Sequence, residues 1–517
     1  MSTPSPTSKV ALPPEGAAVD KGLKPGAIGL LSAIVLAVSS TAPAYALAAT
    51  LGFVVIAVGV KAPAILLLAF IPMWLIAVAY KELNRREPDC GTTFTWAARA
   101  FGPRTGWMGG WGIIAADVIV MANLAQVAGS YGYRLLGLDG LADSAFWTTV
   151  AGVGWIALMT WICYRGIEPT ARLQNVLLAV EVVVLVVFAG YALVKVYGGS
   201  APAGSLTPSL SWLWPSGLDW ASLTEAMLLA IFIYWGWDSA LAVNEETRDP
   251  ARSPGRAAVI STVLLVGIYV VVSIATVAFA GVGAEGTGLG NEANAEDVFA
   301  ALGATVFGDD VVGRVLQALL ILSVLTSSAA STQTTILPTA RGTLAMGTYQ
   351  ALPSSFARIH PRYLTPSVST IWMGIVSIAF YVGLTLVSDN VLQDSVVATG
   401  MLIAFYYGLT GFACAWQFRR GQRTARDVLM RVVLPLLGGL FMLLIFVLAC
   451  VEFADPEYGE TVVFGVGGVF VIGIGALLLG VVLMAVWNVV APAFFRNETM
   501  LPGSGDLLPD PERPATR

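Results

Sequence analysis

The sequence predicts an all-α polytopic membrane protein of twelve transmembrane helices arranged as a 5+5 inverted repeat, with helices 1 and 6 discontinuous. Three observations carry the prediction. First, 56% of the 517 residues are hydrophobic and 12% charged, with a mean hydropathy of +0.77, too apolar for a soluble fold of this length. Second, apolar stretches of about 20 residues, enough to cross a bilayer core of about 30 Å, recur along the whole chain. Third, with the N-terminus inside, only Lys61, Arg134, Lys195 and Arg314 of the 28 Lys and Arg fall at the outer side. That asymmetry orients membrane proteins; it predicts a multi-pass protein of the cytoplasmic membrane with both termini in the cytoplasm.

Taken in order, residues 1–25 form a polar, proline-rich cytoplasmic tail with Lys9, Lys21 and Lys24, and lack the apolar core and cleavage site of a signal peptide. Spans follow at 27–58, 62–82, 105–135, 145–164, 172–197, 220–243, 256–281, 311–340, 366–388, 392–418, 428–453 and 461–491. The first carries Ser39-Ser40-Thr41-Ala42-Pro43-Ala44-Tyr45, where Pro43 removes a backbone donor and clashes with the preceding turn. The sixth is interrupted at Tyr234-Trp235-Gly236-Trp237-Asp238. Lipid cannot satisfy free backbone groups, so such gaps belong where they line a protein-walled cavity.

Breaks in the first span of each half point to an inverted-repeat secondary transporter whose site lies at the midplane. The expected division is repeat 1 over 26–197, an outer loop over 198–219, repeat 2 over 220–418, two additional helices over 419–492, and a C-terminal tail over 493–517, disordered from 497. An inner-side segment, TFTWAARAFGPRTG, echoes the outer-side EDVFAALGATVFGDDVVG, as inversion requires. The outer loop at 282–310 holds Glu285, Glu292, Glu296, Asp297, Asp309 and Asp310 without a basic residue. It either draws cations or is simply solvated. The four cysteines, Cys90, Cys163, Cys414 and Cys450, have no metal-like spacing and are expected to be reduced thiols.

Ionisable groups inside spans are costly and therefore functional candidates. Glu181 lies in the apolar run Leu177–Val187, a setting that suits reversible protonation, with a plain buried hydrogen-bonding carboxyl as the alternative. Asp238, just past the second break, would bind a cationic group or close a gate, or else cap a half-helix. Asp117 on span 3 has no obvious partner in the sequence. Ion coupling is therefore assigned to Glu181, Asp238 and Asp117. The first break, Ser39, Ser40, Thr41, Ala42 and Pro43 and on to Tyr45, offers backbone N–H groups with a half-helix N-terminus beyond Pro43, which suit a carboxylate. Carbonyls at Tyr234, Trp235, Gly236 and Trp237 suit an ammonium, and Phe232, Trp235 and Trp237 an aromatic wall. Hydroxyls from Thr326 to Thr332 would bind Na+ or bond across helices.

The stretch GWDSALAVNEETRDPARSPGRA resembles the Gly-Phe-Asp, five residues, Ala-Glu-Glu pattern of the amino acid, polyamine and organocation (APC) superfamily of leucine-transporter fold, with Trp237 for Phe and Asn244 for Ala. GTTFTWAARAFGPRTGWMGGW, RGIEPTARLQNV and the loop Arg341 to Pro366 are similar to family segments in the same order. The resemblance implies uptake of a small substrate held at helices 1 and 6 and driven by H+ or Na+. Some members place a helix 5 lysine about where Glu181 falls, and the usual Gly-x-Gly-Ile-Phe first break is SSTAPAY here.

The expectation is therefore a proton-coupled amino acid importer working by alternating access, with an amine or polyamine importer as the alternative and a non-transporting sensor or channel behind both. The coupling ion is H+, with Na+ as the second choice; no cofactor or metal is expected. Membrane lipid is the other partner, and nothing suits nucleic acid. The single histidine, His360, lies in a loop, and no phosphate loop or Cys/His cluster appears, which argues against an enzyme.

Overall fold

The structure, a computed structural model, describes residues 20–295, 297–387, 389–459 and 461–500. Lys9 and the rest of 1–19, Glu296 of the acidic loop, and 501–517 of the expected disordered tail lie outside the described residues. Ten helical stretches among the described residues are long and apolar enough to cross a membrane. The first of them, Leu30–Arg86, is 57 residues long and consists of α1 (Leu30–Thr41), α2 (Pro43–Val58) and α3 (Ala62–Arg86).

Pro43 is the first residue of α2, where its missing N–H costs nothing. Ala42 before it turns the chain at φ +48. A short helix on one face, α4 (Thr93–Phe101), leads into α5 (Pro103–Leu135), followed by α6 (Ala145–Arg165) and α7 (Ile167–Tyr197). The second break separates α8 (Trp220–Ile233) from the single turn α9 (Ser239–Ala242), after which α10 (Ser253–Ala280) crosses back. A second short helix, α11 (Val298–Phe307), precedes α12 (Val311–Thr348), then α13 (Ser367–Val387), α14 (Asp389–Gln417), α15 (Leu434–Glu452) and α16 (Gly468–Val490).

The two segments that echo each other in sequence also match in form. Each is a short helix closed by a glycine with positive φ, Gly102 (φ +98) or Gly308 (φ +84), that hands the chain to a long helix. At 38 residues, α12 spans about 57 Å, so α11 at its start and Tyr349 at its end lie on opposite faces. The last span begins at Gly468 rather than at 461. Phe464 (φ +53) and Gly465 (φ +81) turn Val462–Gly467 into a two-residue hairpin, the geometry that positive φ at both turn positions favours.

The core runs along α5 and α12, which pack side by side. Of the apolar window of α5, 83% is buried, against 22% for α16, so α16 is a peripheral helix facing lipid. Both described chain ends reach one face: the Lys21 ammonium lies 5.7 Å from the Tyr349 ring centroid, and the Thr499 hydroxyl donates to the Tyr349 carbonyl at 2.6 Å. Phe494 stacks on Phe94 of α4 on the same side, with ring centroids 5.5 Å apart. This side is called the terminal face below.

The two breaks touch. Gly236 has φ +119, and a Cβ there would lie 2.6 Å from the Ser40 carbonyl oxygen. Gly236→Ala is therefore expected to destabilise the protein by about 1–3 kcal/mol, read as a lower melting temperature of the purified protein. An unchanged melting temperature would mean that the two unwound segments do not meet.

Candidate functional site

A small cavity sits where the breaks meet. Ser40, Thr41 and Ala42 line it from the first break, Phe232, Trp235, Gly236 and Asp238 from the second, and Asp117 and Tyr406 from α5 and α14. Its free volume is about 30 Å³, room for a water or two; a substrate enters only as the walls part. Asp238 accepts hydrogen bonds from Tyr407 at 2.9 Å and Tyr406 at 3.3 Å, and the Trp235 indole N–H donates to the Tyr406 hydroxyl. Asp117 accepts from the Thr339 hydroxyl. The cavity thus holds two carboxylates, and among the described residues no Lys, Arg or His lines it.

Not every residue expected at the site reaches the cavity. Tyr234 turns away, donating to the Leu66 carbonyl at 3.0 Å and meeting Tyr269 edge-on at 5.0 Å. Trp237 is fully buried between Tyr80 and Tyr407, at centroid distances of 5.2 and 5.1 Å, and does not line the cavity. Ser39 is buried, and neither it nor Pro43 lines the cavity. Tyr45, one turn beyond Ala42, does line it, and its hydroxyl bonds Asn123. Sequence reasoning placed Tyr45 in the first break without a role for its phenol, and passed over Thr339 and the Tyr406-Tyr407 pair. The available signal was two adjacent phenols in the middle of an apolar span, which need partners when buried.

Glu181 stands behind the first break. It is fully buried on α7, and its Oε1 accepts the Ala44 N–H at 2.7 Å and the Ser327 hydroxyl at 2.8 Å. The same Ser327 oxygen accepts the Tyr45 N–H at 3.2 Å. Oε2 is buried without a partner. Farther along α12, Ser328 donates to the Leu124 carbonyl at 2.6 Å and Ser331 to the Ser40 carbonyl at 3.0 Å. Within the hydroxyl run of span 8, Ser327, Ser328 and Ser331 thus bond across helices, whereas Thr326 and Thr332 bond back to carbonyls of α12.

On the terminal face the path is closed by charge. The buried Lys21 ammonium bonds Asp89 at 2.9 Å and Glu245 at 2.5 Å, and Asp89 also accepts from Tyr349 at 2.7 Å and the Gly91 N–H at 2.8 Å. Burial alone would favour neutral Asp89. The Lys21 charge and these donors outweigh it and hold the carboxyl below its usual range, whereas burial dominates at Glu245 and pushes it up. Asp89, Cys90 and Glu245 bring their ligand atoms within 4.8 Å of one another, but the ammonium already bridges the two carboxylates, so this is an ionic lock. Beside it Arg341 grips Glu246 through two bonds of 2.7 and 2.9 Å, both side chains fully buried. The lock gathers the tail before α1, the α3–α4 link, the loop after α9 and the end of α12.

Two interrupted helices touching inside a bundle, with a carboxylate-bearing cavity between them, define a membrane transporter of the broken-helix class. A family model described as amino acid permease matches residues 28–477, and the chain belongs to that family, within the APC superfamily. It is a transporter and not an enzyme. It is similar to the low-affinity putrescine importer PlaP of Escherichia coli (strain K12), 24% identical over 70% of this chain and 75% of that protein. The methylthioribose transporter of Bacillus subtilis (strain 168) is 25% identical over 58% of this chain and 62% of its own length. The branched-chain amino acid permease BcaP of Lactococcus lactis subsp. cremoris (strain MG1363) is 24% identical over 39% and 44%.

Proposed function

We propose that the protein is a proton-coupled importer of the cytoplasmic membrane, moving a small substrate that carries an ammonium group by alternating access across twelve spans. Counting α1 with α2 as one span, α3 as another and α8 with its break as a third brings the ten long helical stretches to twelve. The matching loop helices α4 and α11 support the inverted repeat, and the meeting of both described chain ends on one face supports a common side for them, which the Lys and Arg asymmetry of the sequence makes the inside. An amino acid is the substrate the family description favours. An amine is favoured by the observation that carries the whole reading: a cavity between the breaks with Asp117 and Asp238 in its wall and no cation to offset them. The family also includes a relative named as a putrescine importer.

The coupling proton is assigned to Glu181, whose buried Oε2 has no hydrogen-bond partner among the described residues and so has room to carry a proton. Na+ is the alternative ion. Glu181→Gln is expected to abolish accumulation driven by an inward proton gradient while preserving substrate binding. The amide keeps an acceptor for the Ala44 N–H but cannot cycle a proton. Reconstituted vesicles with an imposed pH difference decide it: full accumulation by the variant, or dependence on Na+ alone in the wild type, would remove Glu181 from coupling.

A further inference from the structure

Helices begin with four backbone N–H groups that lack an intrahelical partner, and in a broken-helix transporter the start of the second half-helix is where a substrate carboxylate finds donors. At α2 every one of these positions is accounted for. The Ala42 N–H bonds the Ser39 carbonyl at 3.2 Å. Pro43 has no N–H. The Ala44 N–H goes to Glu181, and the Tyr45 N–H goes to Ser327, which in turn donates to Glu181. By Ala46 the helix has closed on itself, its N–H bonding the Ala42 carbonyl at 2.8 Å. One side-chain carboxylate, brought in from α7, therefore occupies the anion-binding end of the half-helix.

We infer that Glu181 is the specificity-determining residue of the site: it takes the place of the substrate's carboxylate, so that the transporter accepts amines and rejects the amino acids from which they derive. The inference rests on the proposed reading of the cavity as the substrate site. Among the described residues an incoming α-carboxylate would meet no free backbone N–H at the start of α2 and no basic side chain, only hydroxyls such as that of Ser40, and the carboxylates of Asp117 and Asp238 in the wall. Burying it there leaves an unpaired charge, the strongest ground on which a polar site rejects an analogue. An ammonium meets the opposite arrangement. Asp238 is held in place by Tyr406 and Tyr407, and the carbonyl of Trp235, a residue of the cavity wall, accepts no hydrogen bond among the described residues.

The test uses purified full-length protein and two matched pairs, ornithine with putrescine and leucine with 3-methylbutylamine, each amine being its amino acid without the carboxylate. Binding is measured by titration calorimetry. In the wild type at least one amine is expected to bind at least tenfold more tightly than its amino acid. In Glu181→Ala, which frees the Ala44 and Tyr45 donors, the amino acid of that pair gains at least tenfold while the amine changes less. A general loss of structure would weaken both ligands and would not raise the affinity for one of them. Glu181→Gln keeps an acceptor on Ala44 and is expected to keep the wild-type preference. Should Glu181→Ala fail to fold, the wild-type and Glu181→Gln measurements still decide. An amino acid that binds the wild type as well as its amine does would overturn the inference and leave the transport reading standing. Binding of none of the four compounds, with no uptake of any of them, would overturn both.

Discussion

Replacing Arg341 with alanine is expected to destabilise the protein by about 3–5 kcal/mol. The loss follows from what remains. Glu246 accepts two bonds from the Arg341 guanidinium and is itself fully buried, so truncating the arginine strands a carboxylate away from water. The pair also joins α12 to the loop after α9, and the Glu246 carbonyl accepts the Ile28 N–H at 3.1 Å, which ties in the segment leading to α1. Removing both charges together is a different matter, because two apolar side chains of similar size leave nothing unpaired. Arg341→Met with Glu246→Leu should recover most of the lost stability. Thermal unfolding of the purified variants measures both effects. Wild-type melting of Arg341→Ala, or a double variant no more stable than the single one, would show that the pair carries little.

The breaks were legible from sequence because their causes are local. Pro43 removes a helix hydrogen bond and crowds the turn before it, and a glycine among tryptophans in an apolar span calls for a backbone reason, which turned out to be contact with Ser40. The acids Asp117, Glu181 and Asp238 were legible because charge inside lipid is rare. What the sequence left open depends on rotation about a helix or on contacts between distant segments. Trp235 and Trp237 are two residues apart in an unwound stretch, and only the fold decides that one lines the cavity while the other packs between Tyr80 and Tyr407. The partner of the Ala44 N–H is 137 positions away, so the donors assigned in sequence to a substrate carboxylate could not be known to be taken. Lys21 read as one of several tail lysines. Its burial between Asp89 and Glu245 depends on three segments meeting, and no periodicity signals that.

Asp238→Asn is expected to weaken binding of an amine on the order of ten- to a hundredfold, since a hydrogen bond to a charged group contributes roughly 1.5–3 kcal/mol. The asparagine keeps the shape and can still accept from Tyr407, so the change removes the charge while leaving the second break folded. Asp117 offers a second carboxylate in the same wall, and that separates two kinds of substrate. A monoamine has one charge to place, and Asp117→Asn should cost it little. A diamine that spans the cavity uses both acids, so Asp117→Asn and Asp238→Asn should each weaken putrescine. The double variant should then lose less than the sum of the two, because once one end is released the other is no longer held in register. Calorimetric titration of the wild type and the three variants with putrescine and 3-methylbutylamine tests this. Equal binding of both amines by Asp238→Asn and wild type would mean that Asp238 serves the fold through Tyr406 and Tyr407, and that the ammonium is read by backbone carbonyls alone.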